Sequence, residues 1–147
     1  MRFIKYWLPV LLWMGFIFWM SSGTFSSQNT SLIIEPLISL LLPSLSQEEI
    51  DMIHGVIRKA GHVAEYFIFG TLLFRAFRNS LDKQRVWQWA LYSLLITTGY
   101  AAGDEFHQSF VSTRTASLAD VCIDISGGLL ALAGSVLCQR RTRQNSK

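Results

Sequence analysis

Gly103-Asp104-Glu105-Phe106-His107-Gln108, followed by Arg114, Asp120 and Asp124, gathers four carboxylates, an arginine and a histidine within about two dozen residues. Long apolar runs flank this stretch, and charge at membrane depth is costly enough that it normally marks a site. Lys59, His62, Glu65 and Tyr66 open another apolar run in the same way. Adjacent carboxylates and a histidine suit general acid–base chemistry. Glu105 and Asp104 are the candidate bases, or ligands for a metal, and His62 is their acid–base partner. Lys59, Glu65, Tyr66, Gln108, Arg114, Asp120 and Asp124 are the candidate binding residues. No cofactor is evident, although His62, His107 and the carboxylates are donor types that accept a divalent cation. No close ligand spacing specifies such a site, and its metal stays unknown. Ser109, Ser112 and Thr113 lie near the acidic pair, yet nothing marks one as a nucleophile.

The elements that position these groups are apolar. The chain has 147 residues, one domain's worth, of which 50% are hydrophobic and 16% charged. A soluble domain carries closer to a quarter charged residues. The net charge of +3 comes from Lys and Arg clustered beside apolar runs. That distribution fits anionic headgroups and membrane orientation, and argues against a nucleic-acid partner. Cys122 and Cys138 are sixteen positions apart in one apolar segment, about 24 Å along a helix, so they cannot bridge each other.

Four spanning helices are expected at about residues 4–20, 60–78, 87–103 and 120–138, joined by an outer loop over 21–58. The first has a basic start and could serve as a signal peptide. Phe16, Phe18, Trp19 and Met20 crowd its end, however, where a cleavage site wants small residues, so an uncleaved helix is expected. Ten basic residues fall on one side: Arg2, Lys5, Arg75, Arg78, Lys83, Arg85, Arg140, Arg141, Arg143 and Lys147. Only Arg58, Lys59 and Arg114 fall on the other. The positive-inside rule therefore predicts cytoplasmic termini. Within the outer loop, Leu32–Leu42 is apolar but too short to span, and is expected along the interface or re-entering between helices. Ser46 with Glu49 reads as a capping box that starts a helix through Ile57, which can run on into the second span.

In this topology every unusual polar residue faces outward. Lys59, His62 and Tyr66 form one helical stripe bordered by Glu65. Asp120, Asp124, Gly127 and Gly128 share a face, continued by Ala131 and Ser135, and small residues let that face pack closely against a neighbour. Asp124 is then expected inside the bundle. Asp104 or Glu105 joins Gln108 on one face if the third span continues past Gly103. Simpler readings stand beside these. Asp120 after Ser117 could be a helix cap, Arg114 could only neutralise Asp120 or Glu105, and Lys59 could snorkel.

Arg58-Lys59-Ala60-Gly61-His62-Val63-Ala64-Glu65-Tyr66 with Gly70 resembles the first signature of the VanZ-like family of bacterial membrane proteins. Asp104-Glu105-Phe106-His107-Gln108-Ser109-Phe110, Arg114, Asp120 and Gly127-Gly128 resembles its second. Ser26-Ser27-Gln28 is similar to the short element these proteins carry after their first helix. The chain departs at Asp124, where Asn is usual, and after Arg114, where Thr-Ala-Ser stands in place of a stretch that often holds Gly. The resemblance implies one all-α domain over 1–147, an integral bundle of four transmembrane helices with an extracytoplasmic interfacial or re-entrant segment, in the bacterial inner membrane. For the founding member it implies a link to teicoplanin resistance, and it implies no reaction. Three functions remain open: modification of a lipid-linked envelope component, binding of a membrane lipid headgroup, lipid-linked peptidoglycan precursor or glycopeptide without chemistry, and a purely structural or partner-binding role.

Overall fold

A computed structural model describes residues 2–81, 85–114 and 116–145. Lys83 and Lys147 of the basic count, and Thr115 after Arg114, lie outside the described residues. The described chain is all-α: α1 (Arg2–Met20), α2 (Ser27–Leu41), α3 (Gln47–Ser80), α4 (Val86–Gln108) and α5 (Leu118–Asn145), with a 3₁₀ turn at Gly23–Phe25. Two of these helices, α1 over Phe3–Met20 and α5 over Leu118–Thr142, are long and apolar enough to cross a membrane.

α1 and α4 run one way and α3 and α5 the other, as three cross-helix bonds show. Trp7 near the start of α1 donates to Ser80 at the end of α3, 2.9 Å, and Ser21 just past α1 donates to Asp104 near the end of α4, 2.7 Å. Arg78 on α3 donates to Gln139 on α5, 2.9 Å. α1 is tied in further by Trp13 donating to the Glu65 carbonyl and Tyr100 donating to that of Met14. Val10, Ile17, Tyr66, Phe69, Leu73, Ala76 and Ala101 form the core between them. Phe74, Trp89 and Leu132 close a second cluster toward the other end.

The small-residue face of α5 makes its closest approaches. A side chain at Gly127 would collide with the Val63 carbonyl, and one at Gly128 would meet the Thr97 methyl at 2.6 Å. Gly70 sits on Gly128 and Ala131 in turn. Backbones this close gain dispersion contact, which matters most where no water is released on association.

The segment over 21–58 is not a loop. Ser26 caps α2 by accepting from the Asn29 amide, and the Ser46–Glu49 capping box starts α3. α3 then runs unbroken through Gly61 for 34 residues, about 50 Å at 1.5 Å per residue. The 19-residue α1, paired through Trp7 with Ser80 at the far end of α3, is much shorter, so the first turns of α3 extend beyond it. There α2 folds back along them as a helical hairpin. His54 holds the pair together, with Nε2 3.2 Å from Thr30 Oγ1 and Nδ1 3.5 Å from Glu35. The outward faces of α2 carry Leu32, Ile33, Leu37, Leu40 and Leu41, all exposed.

Candidate functional site

The polar residues of four helices meet at one end of the bundle. α4 continues past Gly103 to Gln108, and its buried stripe of Trp89, Ser93, Thr97 and Ala101 leads into Asp104, Glu105 and Gln108. Asp104 Oδ2 accepts from Ser21 at 2.7 Å and from Gln108 at 3.0 Å, while Gln108 also donates to Ser21 Oγ at 2.6 Å. This triangle locks the end of α1 onto α4. The other carboxylate oxygen, Oδ1, is buried without a partner.

Asp124 points into the bundle, as its small-residue face requires, and is 1% exposed. Its Oδ1 lies 3.0 Å from His62 Nδ1, joining α5 to α3. Its second oxygen is unpartnered. With Nδ1 held by a carboxylate, His62 Nε2 is the nitrogen left for a ligand or proton.

A cleft of ≈ 140 Å³ opens between these groups, lined by Ser21, Arg58, His62, Glu65, Asp104, Gln108 and Arg114, with Ile17, Met20, Phe25, Ile34 and Ile57 among its apolar neighbours. A second cleft of ≈ 380 Å³ shares Arg58 and His62 and adds Lys59, Asp120, Asp51, Glu35 and His54. The polar residues that α3 presents to the first cleft are thus Arg58, His62 and Glu65, at i, i+4 and i+7. The stripe drawn through Lys59, His62 and Tyr66 is corrected by this. Lys59 is exposed at the rim of the second cleft, and Tyr66 is fully buried in the core, its hydroxyl unpartnered. A stripe seven residues long fits two neighbouring faces of a helix, and the bulky aromatic ring went to the core.

Arg114 does not neutralise Asp120 or Glu105. Its Nη2 donates to the carbonyls of Met20 at 2.7 Å, Phe25 at 2.8 Å and Ser22 at 3.3 Å, clamping the chain that leaves α1. Arg58 reaches the same Phe25 carbonyl at 3.4 Å. Burial pulls both guanidinium pKa values below their ordinary range, and for Arg114 the neighbouring Arg58 adds to the shift. Glu105 does not line the first cleft. Its carboxylate accepts the Ser117 amide in the approach to α5, and burial raises its pKa. Ser117, not Asp120, supplies the side-chain cap there, accepting from Ala119 at 3.2 Å. His107 packs against Phe18 with the rings tilted by 34° and their centroids 4.5 Å apart.

Sequence reasoning passed over Ser21, Arg58, Glu35 and His54. Arg58 is four residues before His62, a spacing that could have flagged it. Ser21 and the α2 contacts are long-range and left no local signal. Cys122 and Cys138 are free and exposed on α5. Among the described residues no group of three His, Cys, Asp or Glu side chains has a metal-holding arrangement.

No curated protein and no solved structure matches the chain. The VanZ/LLP1 family matches it over residues 6–139, a span that takes in every helix and both clefts, and the chain belongs to that family.

Proposed function

We propose that the chain spans a bacterial inner membrane four times with both termini cytoplasmic, and that its outward-facing cleft binds the headgroup of a membrane lipid or lipid-linked envelope component. The observation that carries this reading is the convergence of Arg58 and Arg114 on one carbonyl of Phe25. Among the described residues neither guanidinium has a carboxylate in ion-pair contact. Two guanidiniums with no acid in ion-pair contact keep N–H donors available to an anionic group, and their planar forks suit phosphate. The exposed apolar face of α2 beside the cleft gives acyl chains a surface. The cleft's ≈ 140 Å³ suits a headgroup and cannot enclose a glycopeptide. Any contribution to teicoplanin resistance would act through the envelope component.

The topology and the binding are tested separately. A reporter fused after Lys147 is expected to be active only in its cytoplasmic form. Arg58→Gln and Arg114→Gln are expected to abolish co-purification of phospholipid that resists detergent exchange. Retention of that lipid by both variants contradicts the reading.

One observation favours chemistry in addition to binding. Asp124 orients His62 through Nδ1 as a carboxylate orients a general base, and Nε2 is left free beside the bound headgroup. His62→Gln is then expected to retain lipid while losing the cellular activity. If His62→Gln is indistinguishable from the parent, the site only binds.

A further inference from the structure

The first cleft is lined by groups of both signs, the guanidiniums of Arg58 and Arg114 and the carboxyl groups of Glu65 and Asp104. Arg58 and Arg114 meet at the Phe25 carbonyl. Glu65 is two turns further along α3 than Arg58, and Asp104 is in the wall formed by α4. These four groups form no ion pair with one another among the described residues. Asp104 is 7% exposed, and its Oδ1 is buried without a hydrogen-bond partner. Arg114 Nε is likewise buried and unpartnered. The Glu65 carboxylate accepts no hydrogen bond from any described residue, although Trp13 binds that residue's carbonyl.

A simple anion in the cleft would meet the field of Asp104 and Glu65, and a simple cation would meet two guanidiniums. A small zwitterion satisfies both. We infer that the cleft selects a headgroup pairing a phosphate with a primary ammonium, phosphate on Arg58 and Arg114 and ammonium on Asp104 and Glu65. This rests on reading the cleft as a headgroup site and names the headgroup class. A primary ammonium brings three N–H donors to the carboxyl oxygens of Asp104 and Glu65, filling the orphaned Asp104 oxygen. A quaternary ammonium has no donor to give, and its preferred aromatic cage is absent, since Phe25 is the one Phe, Tyr or Trp side chain lining this cleft among the described residues. Ethanolamine-type headgroups therefore fit better than choline or glycerol types.

The test titrates the detergent-solubilised full chain with phosphatidylethanolamine, phosphatidylcholine and phosphatidylglycerol of identical acyl chains, read by native mass spectrometry. Phosphatidylethanolamine is expected to bind about tenfold more tightly than the others, the worth of one charge-assisted hydrogen bond. Glu65→Gln, checked for fold by circular dichroism, is expected to erase that preference while retaining phosphatidylglycerol. On the unmodified chain, soluble phosphoethanolamine is expected to displace the lipid and phosphocholine to fail. Phosphatidylglycerol binding as tightly as phosphatidylethanolamine, or equal displacement by the two soluble headgroups, overturns the zwitterion inference and leaves headgroup binding standing. No retention of any of the three lipids above diacylglycerol overturns both.

Discussion

The two ends of the bundle solve the same packing problem with opposite chemistry. At one end Phe74, Trp89 and Leu132 close the helices with apolar contact, and the arginines there, Arg75 and Arg78, are exposed. At the other end the same helices meet through Ser21, Asp104, Gln108, His62 and Asp124, all but His62 buried. Buried polar groups cost free energy unless every atom is satisfied, and here oxygens of Asp104, Glu105 and Asp124 are not. An end built only for stability would resemble the aromatic one. The polar end carries an unmet hydrogen-bonding capacity that a ligand can fill, which makes it the place to look for function.

Breaking the apolar end is expected to have the largest effect on folding and none on selectivity. Phe74→Ala removes a buried ring from the Trp89 and Leu132 cluster and should cost about 3 kcal/mol, read as lost thermal stability in detergent. Whatever folded protein remains should bind headgroup like the parent. Altered lipid preference in that variant would show that the two ends are not separable.

Between the ends, Gly127→Ala drives a methyl into the Val63 carbonyl, backbone that cannot step aside, and should cost about 2 kcal/mol. Gly134→Ala on the same helix meets nothing within 4 Å and is expected to be silent. Equal tolerance of the two would mean that α3 and α5 are further apart than described.

At the polar end, Asp124→Leu leaves His62 Nδ1 without its partner and should cost about 2 kcal/mol together with headgroup binding. Asp124→Asn keeps the shape and an acceptor for Nδ1–H, and is expected to preserve folding. If leucine is accepted with stability and phenotype intact, the His62–Asp124 contact is dispensable.

The smallest effect concerns pH. Glu105 lies past the apolar stretch of α4, and burial raises its pKa above the ordinary 4.5. The folded state therefore holds that proton more tightly than the unfolded chain does. The stabilisation is fully present below 4.5 and is lost as pH rises through the raised value. Thermal scans between about pH 4 and 7 should show Glu105→Gln losing less stability than the parent as pH rises. Parallel profiles would contradict this assignment.

Much of the polar end was legible because it follows from local periodicity. Asp124 was expected on the small-residue face, and that face is the one pressed on Val63 and Thr97. The Ser46–Glu49 capping box was readable for the same reason, whereas the expected third span ends at Gly103 and α4 runs on to Gln108. The stripe on α3 was misassigned by one position, since Arg58 and Lys59 differ by only 100° around the helix and both are basic. Arg114 looked like an acid's partner, and its carbonyl acceptors became visible only once the chain after α1 was folded beside it. The helical hairpin of α2 and α3 was hidden for a related reason. A short apolar run bounded by Pro43 reads alike as an interfacial helix, a re-entrant loop or a packed one, and the His54 contacts that fix it are long-range.

The central claim is that the polar end of the bundle is one site and faces outward. Lys59→Cys, with Cys122 and Cys138 replaced by serine, tests it most directly, because Lys59 is exposed at the rim of the cleft shared with His62 and Asp120. A membrane-impermeant maleimide applied to intact cells is expected to modify position 59. Labelling that appears only after the inner membrane is permeabilised would contradict the account, because the site would then open to the cytoplasm.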